Sequence, residues 1–568
     1  MKVISFAALI ILFTAMTSWL CNLPQDIGLD VPDGKLNSLS FAPFREGQGP
    51  VQEVFPSDEQ VLADLKLMGD KTHNIRTYAS SEGNMPKVAE WAGKYGLTML
   101  QGAWLNALPD KNEKEIAALI KSANEHPDVV KRVIVGNEVL LRGDLPADKL
   151  IGYIRRVKQA VKQPVSYADV WSMYLKYPEL IKEVDFITIH ILPYWEDRPI
   201  SIEEAPDHIG KVVDNVRREA NTIAPNKAIL IGEAGWPSNG RQRGHALPSV
   251  VNEAKFIRSL LKVAKDNHFD VNIVEAFNQP WKSAFEGVVG ASWGLYDSSR
   301  QQVFPLTGEV YENVQWFKHL TTSCVIFLIL SLRYFKALQT LPTVRLVAFL
   351  ALLQLFSVLL VNQTAELWYT SYNTSQRVQT AILVLASIVL GGLLLKRSYA
   401  LLSEQLHSEK LSKSLFNFYL LFSFYALYQT YYLATDGRYL SFPSTVTSIA
   451  VFGLIGLSMV RLMTQSQWTV QDFSLNQLLG NTASNLQNKV LGILLLLLGI
   501  GLVIGETQAF MASRDLIMEQ PDATIRLQVS LGFTLGNGQL VKWLVSLIIL
   551  AIPMLISSKV QENINPVQ

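Results

Sequence analysis

The stretch AILIGEAGW, residues 228–236, decides the fold. An apolar run reaches Gly232, stops at Glu233, and leaves through Trp236 and Pro237. A hydrophobic run this short, closed by a turn signal, reads as a buried strand rather than a helix. Seven further runs of the same kind surround it: LNSLSFAPF (36–44), HNIRTYA (73–79), LTMLQGAWL (97–105), RVIVGNEVL (132–140), PVSYADVW (164–171), DFITIHILPYW (185–195) and VNIVEAFNQPW (271–281). Helix-like stretches lie between them, such as DEQVLADLKLMG (58–69), NEKEIAALIKSANEH (112–126) and NEAKFIRSLLKVAKDN (252–267). Strands alternating with helices imply parallel βα units. Eight of them in about 280 residues match a (β/α)8 TIM barrel in count and size. The fold class expected is therefore α/β, a barrel followed by an α-helical transmembrane bundle.

Active sites of such barrels lie at the C-terminal ends of the strands. Here those ends carry Arg76, Thr77 and Tyr78 on the second run, Asn137 and Glu138 on the fourth, and Tyr167, Asp169 and Trp171 on the fifth. His190, Tyr194 and Trp195 close the sixth, Glu233 and Trp236 the seventh, and Glu275, Asn278, Gln279, Trp281 and Lys282 the eighth. Strands four and seven stand across a barrel from each other, so Glu138 and Glu233 can converge over its mouth. Paired carboxylates flanking a bond are the apparatus of glycoside hydrolysis. One protonates the leaving oxygen; the other attacks the sugar carbon or activates water. This chemistry calls for no metal and no cofactor. The aromatic rim suits sugar rings, which stack their C–H faces on Trp and Tyr. Tyr194 and Trp236 read as such platforms, with Tyr167 beside them, and Trp281 and Lys282 as subsite residues. Arg76 reads as orienting Glu233, Tyr78 as touching substrate or nucleophile, Glu275 as electrostatic support, and His190 as a hydrogen-bonded rim histidine.

The bulk composition points to a second solvent. Hydrophobic residues make up 49% of the 568 and charged ones only 17%, which is too apolar for an ordinary soluble chain. The net charge of +1 gives no field that would attract nucleic acid. Cys21 and Cys324 both sit in apolar segments, which excludes a disulfide framework and a zinc cluster. Stretches of about 18 apolar residues can span a bilayer, and eight are expected: 3–20, 319–335, 344–361, 378–395, 415–434, 444–460, 488–505 and 540–557. Lys and Arg concentrate in alternate loops, at Lys2, at Arg333, Lys336 and Arg345, at Lys396, Arg397, Lys410 and Lys413, and at Arg461 and Lys489. By the positive-inside rule both termini are cytoplasmic and the globular part is extracytoplasmic. The glycines of GIGLVIG (499–505) lie inside an apolar helix and read as helix packing, not a phosphate loop. The expected organisation is a signal peptide or anchor over 1–21, a linker over 22–35, the barrel over 36–318, and a membrane region of about seven helices over 319–568.

VGNEV (135–139) and IGEAGWPS (231–238), with IRTY (75–78) and EAFNQPWK (275–282), together resemble glycoside hydrolase family 17, the β-1,3-glucanase family. The resemblance covers roughly residues 36–318. It implies a retaining mechanism on β-1,3-glucan, with Glu138 as acid/base, Asn137 on the sugar 2-hydroxyl, and Glu233 as nucleophile. Retaining geometry places the two carboxyls about 5–5.5 Å apart. The chain departs from the family where an acidic residue is common: it has Asn278 and Gln279 there. A barrel followed by a membrane bundle also resembles bacterial members tied to β-glucan synthesis. That implies partners in a β-glucan polysaccharide or oligosaccharide, membrane lipid and a glucan synthase, with an inner-membrane, periplasm-facing location. Two competing readings are a catalytically silent glucan-binding scaffold and a component of a glucan synthesis or export system.

Overall fold

A computed structural model describes residues 2–405 and 408–558. Eight parallel strands close into a barrel in sequence order. They are β1 Leu36–Ser40, β2 Thr72–Arg76, β3 Thr98–Ala103, β4 Val130–Asn137, β5 Val165–Val170, β6 Ile187–His190, β7 Ile229–Ala234 and β8 Asp270–Ile273. Helices such as Asp58–Gly69, Pro109–Glu125 and Val250–Asp266 return the chain between them. The first of these starts where Ser57 and Gln60 cap each other reciprocally, which satisfies two amides the helix itself leaves open.

Strand alternation divides the core in two. Ile75, Met99, Val133 and Val135 face outward into the large cluster shared with the helices. Leu100, Ile134, Ala168, Phe186 and Leu230 form a separate cluster, which by alternation fills the barrel interior. A polar layer joins three strands. Ser38 Oγ donates to Asn272 Oδ1 at 2.6 Å, and Asn272 Nδ2 donates to Ser40 Oγ at 2.8 Å and to Gly232 O at 2.9 Å. Buried polar groups of this kind are tolerated because each is paired.

Each expected strand runs past the observed one, furthest at β6 and β8. β6 ends at His190 and β8 at Ile273, so 191–195 and 274–279 are loops, and a 3-10 turn follows at Pro280–Lys282. These loops are themselves buried, with Ile191, Tyr194, Ala276 and Phe277 at 1% exposure or less, and a buried loop carries the same apolar residues as a strand. The compact unit runs from Pro24 to Glu312. Much of the stretch read as a linker packs on it: Gln25 pairs with Val310, and Val31 is buried.

The second unit gathers residues 2–23 with those from 313 onward. Among the described residues, six helices are long and apolar enough to cross a membrane: Lys2–Cys21, Thr343–Tyr369, Thr374–Leu402, Ser444–Thr464, Asn485–Met511 and Gly538–Leu555. The other two expected spans are helices, Trp316–Arg333 and Glu409–Asp436, but outside that group. Lys318, His319 and Arg333 dilute the first, and Asn417, Gln429 and a run of tyrosines the second. Val3 and Ala7 are buried in the same cluster as Phe327 and Phe349. The glycine-rich helix makes the close approach its residues allow: a Cβ on Gly492 would meet Ala551 O at 3.1 Å, and one on Gly505 would meet Ala434 O at 2.2 Å.

Candidate active site

Glu138 and Glu233 meet at the C-terminal mouth of the barrel. Glu138 follows β4 in a left-handed conformation, φ 51° and ψ 31°. A non-glycine residue persists there only when its surroundings over-determine it. Its N–H donates to Ala168 O at 2.8 Å, and a short helix, Val139–Arg142, begins at once. Tyr167 braces that helix by accepting from the Leu140 N–H at 3.0 Å and donating to Asp169. Glu233 lies within β7.

Two side chains join the carboxylates. Arg76, 1% exposed, donates from Nη1 to Glu233 Oε1 at 3.0 Å and to Gly232 O at 2.7 Å, and from Nη2 to Asn137 Oδ1 at 2.5 Å. One planar fork thus fixes the strand-seven acid and the strand-four amide together. His190 sits between the acids, with Nδ1 2.8 Å from Glu138 Oε1 and Nε2 3.6 Å from Glu233 Oε1. Nε2 also lies 3.5 Å from Arg76 Nη2. The assignment that satisfies both sides has Nδ1–H donating to Glu138 and Nε2 accepting. Gly232 leaves room for Thr188 and for this ring, since a Cβ there would stand 2.6 Å from Thr188 Cγ2 and 3.2 Å from the ring. One carboxylate oxygen from each acid and one His190 nitrogen all lie within 4.8 Å of one another.

Those three residues are also the set whose spacing could hold a metal ion among the described residues. Arg76 already places a permanent positive charge against Glu233 and His190. A divalent cation there would have to overcome that charge, so the donor set does not fit one.

The electrostatics differ between the acids of the cleft. Burial pushes the Glu138 carboxyl up, but His190, Arg142 and Arg76 together hold it below its ordinary value. Glu275 is 1% exposed, and burial raises it to about 7, against the opposing pull of Lys282 and with a further push from Glu233. Lys282 Nζ donates to Glu275 Oε1 at 2.9 Å. Burial also raises Glu286; Lys282 opposes the rise, and the charges of Glu138 and Glu233 add to it.

The expected binding residues separate into two groups. Asn137, Arg76, Glu275 and Lys282 surround the acids as described. Tyr78 is half-buried, donates to Ser40 Oγ at 2.9 Å, and lies with its ring 4.7 Å from the Arg76 guanidinium. Trp281 is half-buried, packs edge-on to Phe44, and donates to Gln279 Oε1 at 2.9 Å. Tyr167, Tyr194 and Trp236, in contrast, are fully buried, which corrects their reading as surfaces that touch sugar. Tyr194 meets Trp195, Trp236 and Trp293 edge-on and donates to Arg241 O. Trp236 packs at a tilt against Phe256 and donates to Leu247 O at 3.0 Å. These rings are packing behind the rim, and half-buried Trp195 is the one nearer solvent. Asn278 and Gln279 serve the backbone: Asn278 Oδ1 accepts from Gly294 N–H, and Gln279 Nε2 donates to Ala42 O and Phe277 O. Arg142, which the sequence did not single out, donates to Asn137 O and to Leu105 O, with its guanidinium 4.4 Å from the Trp104 ring centre. Its place four residues after Glu138, at the foot of the same turn, was the available signal.

A closed parallel barrel with two acids facing each other at its C-terminal mouth is the architecture of a glycoside hydrolase. A family model described as the BtgE/BtgC glycoside hydrolase domain matches residues 38–294. The chain is similar to the Glucan 1,3-beta-glucosidase of Schizosaccharomyces pombe, 29% identical over 252 residues that make up 41% of this chain and 78% of that one. It is 28% identical over 302 residues to the protein of the same name from Arthroderma benhamiae, covering 50% of this chain and 89% of the relative. Among solved structures it is similar to the glycoside hydrolase family 17 beta-1,3-glucanosyltransferase from Rhizomucor miehei, at 30% identity, over 47% of this chain and 95% of that one, with a TM-score of 0.41. Through residues 38–294, the chain therefore carries the barrel of a glycoside hydrolase domain.

Proposed function

We propose that the protein is a membrane-anchored retaining enzyme that cleaves β-1,3-glucan and passes the glycosyl unit to water or to another glucan. Elongation and β-1,6 branching are the transfer outcomes. The observation that carries this reading is the closeness of the Glu138 and Glu233 carboxylates, within 4.8 Å at their nearest oxygens. Inverting enzymes hold their carboxyls about 6.5–9.5 Å apart to leave room for a water, and retaining ones about 5–5.5 Å. In this mechanism Glu233, positioned by Arg76, attacks the anomeric carbon while Glu138 protonates the departing oxygen. Glu138 then takes a proton from the acceptor as the acceptor displaces Glu233. The low-lying carboxyl of the open site suits the second step. For the first, Glu138 gains its proton as the sugar excludes water and strengthens the burial that already pushes it up. Asn137, held by Arg76, faces the sugar 2-hydroxyl.

In the cell the apolar helices anchor the enzyme in an inner membrane with the barrel on the periplasmic side. The segment 1–21 is a retained anchor or a signal peptide, and the helices from 319 form the anchoring region. Membrane lipid and a glucan synthase are the partners this arrangement suits. The test is to incubate the full chain in detergent with β-1,3-gluco-oligosaccharides and identify products by mass and linkage, beside a Glu233→Gln control. Longer or branched products mean transfer, and only shorter ones mean hydrolysis. No difference from the control leaves a silent glucan-binding scaffold.

A further inference from the structure

The helical unit has a half-open cavity of about 820 Å³ where Thr374–Leu402 and Ser444–Thr464 end and Asn485–Met511 begins. Arg397, Arg461, Asn476, Gln477, Asn485 and Ser558 stand on its wall. Arg397 is 3% exposed. Its Nε donates to Leu478 O at 2.9 Å and its Nη2 to Gln477 O at 3.2 Å. Arg461 donates from Nη2 to that same Gln477 O at 2.9 Å and to Gln477 Oε1 at 3.0 Å, and its buried Nε has no partner. Two guanidinium groups therefore share one carbonyl oxygen.

Neither arginine forms an ion pair with a described residue. The acid on the wall, Glu404, is engaged by Arg345 at 2.6 Å. Asp472 exerts an electrostatic pull on Arg461. A buried charge without a counter-charge is costly, and two like charges at one acceptor add repulsion. An anion between them removes both penalties. The guanidinium fork matches the oxygens of a phosphate in particular. The amides and hydroxyl around it supply neutral partners for the rest of a polar molecule, and the volume lies in the range of small-molecule sites.

We propose that this cavity is a binding site for a phosphate ester, clamped by Arg397 and Arg461. The Lys and Arg distribution puts this end of the helices on the cytoplasmic face. A phosphate ester there has two sources: a soluble nucleoside diphosphate or the head group of an anionic phospholipid.

The test uses the full chain. Binding of uridine diphosphate and of inorganic pyrophosphate is measured by thermal shift in nanodiscs of phosphatidylcholine. Retention of phosphatidylglycerol is measured by native mass spectrometry after detergent exchange. Arg397→Gln, Arg461→Gln and Arg461→Lys are compared with wild type, each checked for folding by its elution profile. Arg461, the less buried of the pair, keeps the test open if Arg397→Gln does not fold. The expected result is saturable binding by wild type, weakened about tenfold or more in Arg461→Gln and less in Arg461→Lys. Binding of the soluble probes marks a soluble ligand, and retention of phosphatidylglycerol alone marks a lipid head group. Failure of wild type to bind any of the three probes, or unchanged binding by a folded Arg461→Gln, overturns the proposal.

Discussion

Replacing Arg76 by Met tests the pairing at the centre of the site. The side chain makes three donations at 3.0 Å or less, to Glu233, Gly232 O and Asn137. Met fills much of the same volume and supplies no donor. Removing one partner of a buried ion pair costs about 3–5 kcal/mol, mostly because the other charge is left uncompensated. Glu233 keeps 13% side-chain exposure, which argues for the lower half of that range. The unit Pro24–Glu312 has roughly 290 residues, and at about 2.1 cal/mol/K of unfolding entropy per residue each kcal/mol moves the melting temperature by about 1.6 °C. The expected fall is about 5–6 °C, read by tryptophan fluorescence of the full chain in detergent. Because the cost is a stranded carboxylate, adding Glu233→Gln to Arg76→Met should return part of the loss, a coupling that a double-mutant cycle measures. A melting temperature within 1 °C of wild type, or a double variant no more stable than Arg76→Met alone, refutes the reasoning.

Other outcomes follow from the same geometry. Glu275 has a folded value near 7 against an ordinary 4.5. The unfolded chain therefore releases this proton first, and the stability that protonated Glu275 contributes is lost as pH rises from about 4.5 to about 7. Melting curves across that window should show the slope in wild type and lack it in Glu275→Gln. His190→Asn removes a partner that holds Glu138 down, so the alkaline limb of kcat/KM should move to higher pH; a limb that stays put contradicts the role given to His190. Trp281→Ala should raise KM for oligosaccharides about five- to tenfold with little change in kcat, as loss of one aromatic contact implies. Trp236→Ala should lower stability by about 3–5 kcal/mol with a small effect on KM, the reverse pattern, because that ring is buried.

Much of this was legible in the sequence. The strand period and the polar residues at strand ends placed all eight strands, and Arg76, Asn137, Glu138 and Glu233 converge as their positions implied. Strand ends were legible only where a loop becomes polar, and the buried loops after His190 and Ile273 do not. Aromatic identity marked the rim but not the direction of each ring, so Tyr167, Tyr194 and Trp236 read as surfaces although packing behind the rim claims them. The bridging role of His190 depends on the missing Cβ of Gly232 on the neighbouring strand, a relation between residues 42 positions apart that no local pattern contains. Nothing in the sequence singles out Arg142 or Glu286, because their electrostatic link to Glu138 exists only once the barrel closes.

The most direct measurement is to trap the intermediate. Full-length protein is incubated with an activated 2-deoxy-2-fluoro laminaribioside, which forms the glycosyl-enzyme faster than it is released, and peptides are mapped by mass. The account predicts one added disaccharide on the peptide containing Glu233, absent in Glu233→Gln. An adduct on another residue, or turnover to an inverted product with no adduct, contradicts it.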